Sequence, residues 1–127
     1  MSDRRSLARR ALAVAVMLGC SAGVPASAAT PAQKSAAAAV LAHFRSAKIT
    51  DVKQPSCFIV QSWAQCAYLE GDGEGTAWLQ LKNGAWRFLG SDGGVVYASM
   101  MVKRYGIPLA VAKQFQAKIC PSPCPGA

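Results

Sequence analysis

The sequence is poor in the side chains that most enzymes use for catalysis. Its 127 residues include a single histidine, His43, and only six acidic residues against fourteen lysines and arginines. Hydrolytic catalysis needs a positioned base, an activated nucleophile or a pair of carboxylates. No serine or acidic residue with motif spacing accompanies His43. We therefore expect the protein not to be an enzyme, and His43 to pack at the edge of a helix.

Motifs for metal ions and cofactors are missing as well. The cysteines do not form two close Cys-x2-Cys pairs, so a zinc site is not expected. Residues 70–75 (EGDGEG) alternate carboxylates with glycines, but they lack the calcium-loop pattern and lie where a hairpin needs glycines. Residues 90–94 (GSDGG) precede a predicted helix, where Asp92 would repel a phosphate and instead suits an N-cap. The sequence therefore predicts no metal ion and no cofactor.

No apolar run is long enough to cross a bilayer, but a short one stands near the start of the chain. Four arginines between positions 4 and 10 precede or flank the apolar residues 11–18, and Gly23 and Pro25 precede small residues at 26–28. This order is typical of a secretory signal peptide. We expect residues 1–28 to be a signal peptide and residues 29–127 to form one small domain, in the periplasm or medium of a bacterium.

A lipid anchor is the alternative address. Met17-Leu18-Gly19-Cys20 resembles a lipoprotein box, although Met17 stands where leucine is usual. Acylation of Cys20 would turn residues 21–30 into a tether and make the protein membrane-anchored.

The predicted mature chain is moderately basic. Cleavage removes four of the fourteen lysines and arginines and one of the six acidic residues, which leaves ten against five and a net charge of +5. No run of five or six positive residues occurs, so nucleic acid is not expected as a partner. Loose attraction to anionic polymers or lipid headgroups of the cell envelope is physically reasonable.

The even number of cysteines in the predicted mature chain indicates two disulfides, as is usual in small exported domains. The four are Cys57, Cys66, Cys120 and Cys124. If the chain reverses at Gln61–Ser62, Cys57 lies opposite Cys66 on antiparallel strands, within bridging distance. Cys120 and Cys124 then close a short terminal loop. Three residues, two of them proline, separate this last pair, so it does not match a redox Cys-x-x-Cys motif.

Hydrophobic periodicity predicts an α+β fold. Apolar residues at helical spacing follow Thr30, a predicted cap, and indicate a helix over 31–49. The period then changes to two, which predicts strands at 57–60, 63–70, 76–82 and 85–89. Helices are predicted at 95–105 and 108–118. Because the strands follow one another directly, we expect a helix packed on a four-stranded antiparallel meander, followed by two short C-terminal helices.

The turn at Asn83–Gly84 sets the register of the last two strands. A two-residue type I′ hairpin there places Leu79 opposite Phe88, on the face expected beneath the first helix. The other face then carries Trp78 opposite Leu89. Either the C-terminal segment covers this apolar pair, or the pair is an exposed contact patch.

Nearby charges extend this candidate contact surface. Arg87 neighbours Trp78 on the predicted hairpin, and two basic residues stand in the last turn of the first C-terminal helix. The candidate surface consists of Trp78, Leu89, Arg87, Lys103 and Arg104.

The run W78-L79-x-L81-K82-N83-G84-x-W86, with Gly93-Gly94 and Tyr105–Pro108 further on, resembles small exported bacterial proteins of unknown function. The similarity covers roughly residues 60–119, and the layout is similar to small α+β domains of the cystatin or nuclear-transport-factor type. The motifs are structural, so the resemblance implies a fold and no activity. Cystatins inhibit proteases through a Gln-x-Val-x-Gly hairpin, which Ile59-Val60-Gln61 does not match.

The sequence therefore predicts an exported, non-catalytic binding or interaction module of the cell envelope or medium, with an unknown partner. The alternative is a structural or electrostatic envelope protein that adheres to anionic polymer or lipid.

Non-reducing peptide mapping of the purified protein checks the predicted disulfides. We expect one linkage between Cys57 and Cys66 and one between Cys120 and Cys124. Each should stabilise the folded state by about 2–3 kcal/mol, because a crosslink restricts the unfolded chain. A peptide that joins Cys57 to Cys120 would contradict both the pairing and the hairpin register.

Overall fold

The computed structural model of the protein describes residues 28–120. Its elements are helix α1 (Pro31–Ser46), strands β1 (Val52–Val60), β2 (Trp63–Glu70), β3 (Gly73–Lys82) and β4 (Ala85–Asp92), and helices α2 (Ala98–Tyr105) and α3 (Leu109–Ile119). The strands pair antiparallel in chain order. The fold is therefore α+β, and the predicted helix, meander and two C-terminal helices are confirmed. Cys20, Cys124 and nearly all of the predicted signal peptide lie outside the described residues.

Helix α1 begins at the predicted cap and is tied to the sheet by one side chain. Thr30 Oγ1 accepts from the Gln33 backbone N–H, while Gln33 Oε1 accepts from the Thr30 backbone N–H at 2.8 Å, which makes a capping box. The Nε2 of Gln33 also donates to the carbonyl oxygen of Cys57 at 3.1 Å. The same glutamine thus starts the helix and fixes it against β1.

One face of the sheet packs against α1. Phe44 from the helix contacts Tyr68 from β2 with ring centroids 5.0 Å apart, and Leu79 from β3 is fully buried beside them. Asn83 and Gly84 have φ angles of 53° and 77°, as a type I′ turn requires. The predicted pairing of Leu79 with Phe88 follows from this turn and is confirmed.

The predicted register of β1 and β2 is also confirmed. Cys57 pairs with Cys66, their Cα atoms lie 4.0 Å apart, and a disulfide joins them within the α1-side core. Cys120 is disulfide-bonded too. Since Cys57 and Cys66 bond each other, the partner of Cys120 lies outside the described residues, and the Cys120–Cys124 pairing stays a prediction.

The opposite face of the sheet packs against α2 and α3 and forms a second apolar core. Its buried members are Trp63, Trp78, Val96, Ala98, Met101, Ile107, Val111, Ala112 and Phe115. The sequence left open whether the C-terminal segment covers Trp78 or leaves it exposed. The structure shows that the C-terminal helices cover it.

The predicted pairing of Trp78 with Leu89 is wrong. Trp78 lies opposite Gly90, and Leu89 is the extra residue of a bulge. The reason is the ring of Tyr105, which stacks on Trp78 with centroids 5.1 Å apart and presses against the backbone of β4. A Cβ atom at residue 90 would lie 2.6 Å from that ring, so any residue other than glycine there would require the ring to move.

The sequence predicted Asp92 as the N-cap of α2, and this prediction is wrong. Asp92 instead links α2 to β4. Its carboxylate accepts a hydrogen bond from the Tyr105 hydroxyl and forms a salt bridge with Arg104. The first N–H of α2, that of Ala98, donates instead to Gln116 Oε1 on α3 at 2.6 Å. Each C-terminal helix is thus held by a polar contact from another element.

Strands β1, β3 and β4 extend further than alternation predicted, whereas β2 has the predicted bounds. In β1, the register shifts between Lys53 and Ser56, and Gln54 has a φ of 53°, so a bulge interrupts the period-two pattern. In β3, the glycine-rich start at Gly73 pairs with Glu70 despite its low strand propensity. Helix α1 ends three residues before its predicted end, α2 begins three residues after its predicted start, and α3 is shifted by one residue.

Tyr105→Phe should lower the free energy of unfolding and should make that free energy less sensitive to a rise of the pH above about 10. Burial, followed by the bond to Asp92, raises the pKa of Tyr105 to about 12. The unfolded chain has the ordinary value of about 10, so the stabilisation is complete below about pH 10 and is lost as the pH rises towards 12. We expect a loss of about 1 kcal/mol near neutral pH, since a hydrogen bond to a carboxylate disappears.

Urea unfolding of both proteins at about pH 8 and about pH 11 measures this effect. The difference between them should shrink at the higher pH. An equal difference at both values would contradict the proposed contribution of the hydroxyl group.

Candidate functional site

The two apolar residues of the predicted contact surface are largely covered in the structure. Trp78 is 0 % exposed, and Leu89 is half-buried and packs against the same core. Trp78 lies beneath Tyr105, so no partner reaches it in this conformation. Trp78 is therefore buried where exposure was one of the two predicted possibilities, because α2 and α3 occupy that face; contact of a partner with the half-buried Leu89 stays a prediction.

The predicted basic contact residues are not brought together around one point. Arg87 is exposed on β4 opposite Gln80, near the Asn83–Gly84 turn. Lys103 is exposed in the last turn of α2. Arg104, beside it, forms the ion pair with Asp92, which partly neutralises its charge. Only Arg87 and Lys103 therefore stand as uncompensated exposed charges of that predicted set.

The face covered by α2 and α3 is covered over only part of its length. Residues that pair across neighbouring strands form rows on this face. Towards the β2–β3 turn, the last row that the two helices cover consists of Phe58, Gln65 and Trp78. Below it, towards the β2–β3 turn, the sheet surface opens into a cavity of about 550 Å³. The cavity thus lies where the helices end.

The floor of this cavity is a mixture of polar and apolar side chains from three strands. It consists of Ser56, Gln65, Ala67, Leu69, Glu74 and Thr76. Val95, in the loop before α2, forms one wall, and Lys118 and Ile119 at the end of α3 form another. The bulge of β1 adds Gln54 at the mouth. We call this the sheet-end cavity.

Gln65 is one of the two buried polar residues that line the sheet-end cavity, and Thr76 is the other. The Gln65 side chain is 7 % exposed, and its Oε1 accepts no hydrogen bond from the described residues. Trp78 Nε1, on the residue directly opposite, likewise finds no acceptor among them. A buried amide oxygen without a donor costs about 1–3 kcal/mol. A ligand group that donates, such as an amide N–H or a hydroxyl, matches the Gln65 oxygen.

Charges of both signs border the cavity. Glu74 belongs to an acidic end of the sheet, which also holds Asp51, Glu70 and Asp72 around the β2–β3 turn. Lys118 stands at the end of α3 with its Nζ 4.8 Å from the centroid of the Phe58 ring. The only ion pair within residues 28–120 joins Arg104 to Asp92, so Glu74 and Lys118 do not neutralise each other. A ligand can therefore meet both a negative and a positive group.

Neither the histidine nor a metal cluster lies in this cavity. His43 is on α1, on the other side of the sheet, where its ring stacks on Phe88 with centroids 3.6 Å apart. Within residues 28–120, no three histidine, cysteine or acidic side chains gather in a way that could hold a metal ion. The geometry supports binding through hydrogen bonds, apolar contact and charge.

Sequence reasoning missed the sheet-end cavity for a physical reason. Buried apolar residues alternate with Gln65, Glu74 and Thr76 along β2 and β3. A period-two pattern predicts that such alternating polar positions face solvent. The pattern does not show that a polar side chain is enclosed by helices from elsewhere in the chain. Trp63 and Trp78, large apolar residues on the same face, were the available signal that part of it is covered.

No helix within residues 28–120 has the length and hydropathy needed to span a membrane. Comparison of the chain with protein-family models, with curated proteins and with solved structures finds no match in any of the three. The resemblance to cystatin-like or nuclear-transport-factor-like domains therefore stays a prediction, and any function has to be inferred from the chain's own residues.

Proposed function

We propose that this protein is a small, non-catalytic binding module and that its ligand occupies the sheet-end cavity. The observation that carries the proposal is Gln65, a buried residue of the cavity floor whose Oε1 has no hydrogen-bond partner among the described residues. A ligand N–H or O–H would supply the missing donor. The binding site is thus the uncovered end of the sheet, in place of the surface around Trp78.

The apolar part of the cavity supports the same proposal. Leu69 and Val95 both line it and are 38 % and 49 % exposed, although their side chains are apolar. Covering apolar area contributes about 25 cal/mol per Å². A ligand with an apolar body and a hydrogen-bonding group would therefore gain free energy from both kinds of contact.

We further propose that the protein acts outside the cytoplasm, in the periplasm or the medium. The Cys57–Cys66 disulfide is compatible with an oxidising compartment. The signal peptide and the alternative lipid anchor at Cys20 concern residues outside the described part, and each stays a prediction. A membrane enters the proposal only if Cys20 is acylated.

Adhesion to an anionic envelope polymer is the second candidate. It is supported by the net charge of the predicted mature chain and by the exposed Arg87 and Lys103. Charge-driven adhesion weakens as salt shortens the screening length, from about 10 Å at 0.1 M to about 3 Å at 1 M. Arg87→Ala with Lys103→Ala should weaken adhesion, whereas binding in the cavity should be insensitive to these two changes.

Gln65→Leu should weaken ligand binding about tenfold without destabilising the fold. Leucine has a similar volume and removes an amide whose oxygen has no partner, so the melting temperature should be unchanged or higher. Gln80→Leu is the matched control, since Gln80 faces the same side of the sheet but lies outside the cavity. Thermal-shift measurements with short peptides, amino acids, sugars and amphipathic amines compare the three proteins.

We expect at least one of these probes to raise the melting temperature of the native protein and of Gln80→Leu. The same probe should bind Gln65→Leu about tenfold more weakly, because a buried hydrogen bond is lost. A probe that stabilises all three proteins equally binds elsewhere and contradicts the proposal. A marked drop in the melting temperature of Gln65→Leu alone would also contradict it.

A further inference from the structure

We propose that the ligand of the sheet-end cavity is a short peptide with free termini, about four residues long. This inference depends on the proposed function, since it concerns the ligand of the same cavity. Glu74 binds the peptide's ammonium group, Lys118 binds its carboxylate, and Gln65 Oε1 accepts from a peptide N–H near the carboxyl end.

The charges of the cavity select a ligand that carries both signs. Glu74 and Lys118 border one cavity, and neither is paired with the other. A neutral sugar leaves both charges without a partner, and an anion or a cation alone matches only one of them. A zwitterion with free ends matches both.

The spacing of the two charges sets the length of the ligand. Lys118 stands over Phe58, which lies in the row of Gln65, whereas Glu74 lies opposite Leu69, four residues further along β2. A strand advances about 3.3 Å per residue and neighbouring strands lie about 4.8 Å apart, so Phe58 on β1 and Glu74 on β3 are about 16 Å apart, of which the Glu74 side chain covers part. One extended peptide residue spans about 3.3–3.6 Å, so about four residues bridge that distance. A single amino acid is too short.

The floor between the two charges suits a peptide backbone and a small apolar side chain. Ser56 and Thr76 offer hydroxyl groups that can donate to or accept from peptide groups, and Thr76 is itself 9 % exposed. Leu69 and Val95 offer apolar contact between them. Gln65 lies at the Lys118 end, so it is placed to accept from the last peptide N–H.

Calorimetric titration with the tetrapeptide Ala-Leu-Ala-Ala tests this inference on the purified protein. The peptide is used with free termini, with the amino end acetylated, and with the carboxyl end amidated. We expect each modification to weaken binding about five- to tenfold, because each removes one charge-assisted contact. Equal binding of all three forms would overturn the assignment of the termini.

Two variants assign each terminus to its partner. In Glu74→Gln, acetylation of the peptide should have no further effect, whereas amidation should still weaken binding; Lys118→Gln should show the reverse. Glu70→Gln and Lys113→Gln are matched controls, because both residues are exposed and lie outside the cavity. Acetylation that weakens binding to Glu74→Gln as much as to the native protein would overturn the role of Glu74.

The outcome separates this inference from the proposed function. If a Gln65-dependent ligand is found but free-ended peptides do not bind, the peptide assignment is wrong and the cavity stands as the site. If peptides bind equally well to Gln65→Leu, both are wrong.

Discussion

The burial of Trp78 is the contact on which the positions of both C-terminal helices depend. The indole ring is completely covered, and it lies under Tyr105 from α2 and within one core with Phe115 from α3. Loss of a buried tryptophan side chain typically costs about 3–5 kcal/mol, a large fraction of the stability of a small domain. Gly90 gives the Tyr105 ring its place against β4, and Asp92 holds its hydroxyl.

The sheet-end cavity is a consequence of this arrangement. The two helices are short, and α3 ends at Ile119, beside the row of Phe58, Gln65 and Trp78. The sheet continues for several residues beyond that row, because β2 and β3 run to Glu70 and Gly73. The buried Oε1 of Gln65 has no donor among the described residues, which is a cost to folding. Groups that carry such a cost are often functional. Gln65 therefore links the packing of the domain to its proposed activity.

The sequence predicted the sheet well because local physics determines most of it. Asn83–Gly84 dictates one hairpin and the Cys57–Cys66 pairing follows from another, so both registers agree with the structure. Pairing of Trp78 with Leu89 was wrong because the bulge depends on Tyr105, a residue distant in the chain. The sequence left the exposure of Trp78 open for the same reason, since alternation cannot show which helix covers a face. Gln65 was overlooked because a polar residue on the mixed face of a sheet looks solvated until the helices are placed.

Nuclear magnetic resonance of the ¹⁵N-labelled protein, titrated with the free-ended tetrapeptide, locates the binding site most directly. Binding in the sheet-end cavity should shift the side-chain amide of Gln65 and the backbone amides of Ala67 and Thr76. Residues on the other face, such as those around His43 on α1, should be unaffected, and so should Arg87. Shifts concentrated around Arg87 or on α1, with the Gln65 side chain unchanged, would contradict the assignment of the cavity as the binding site.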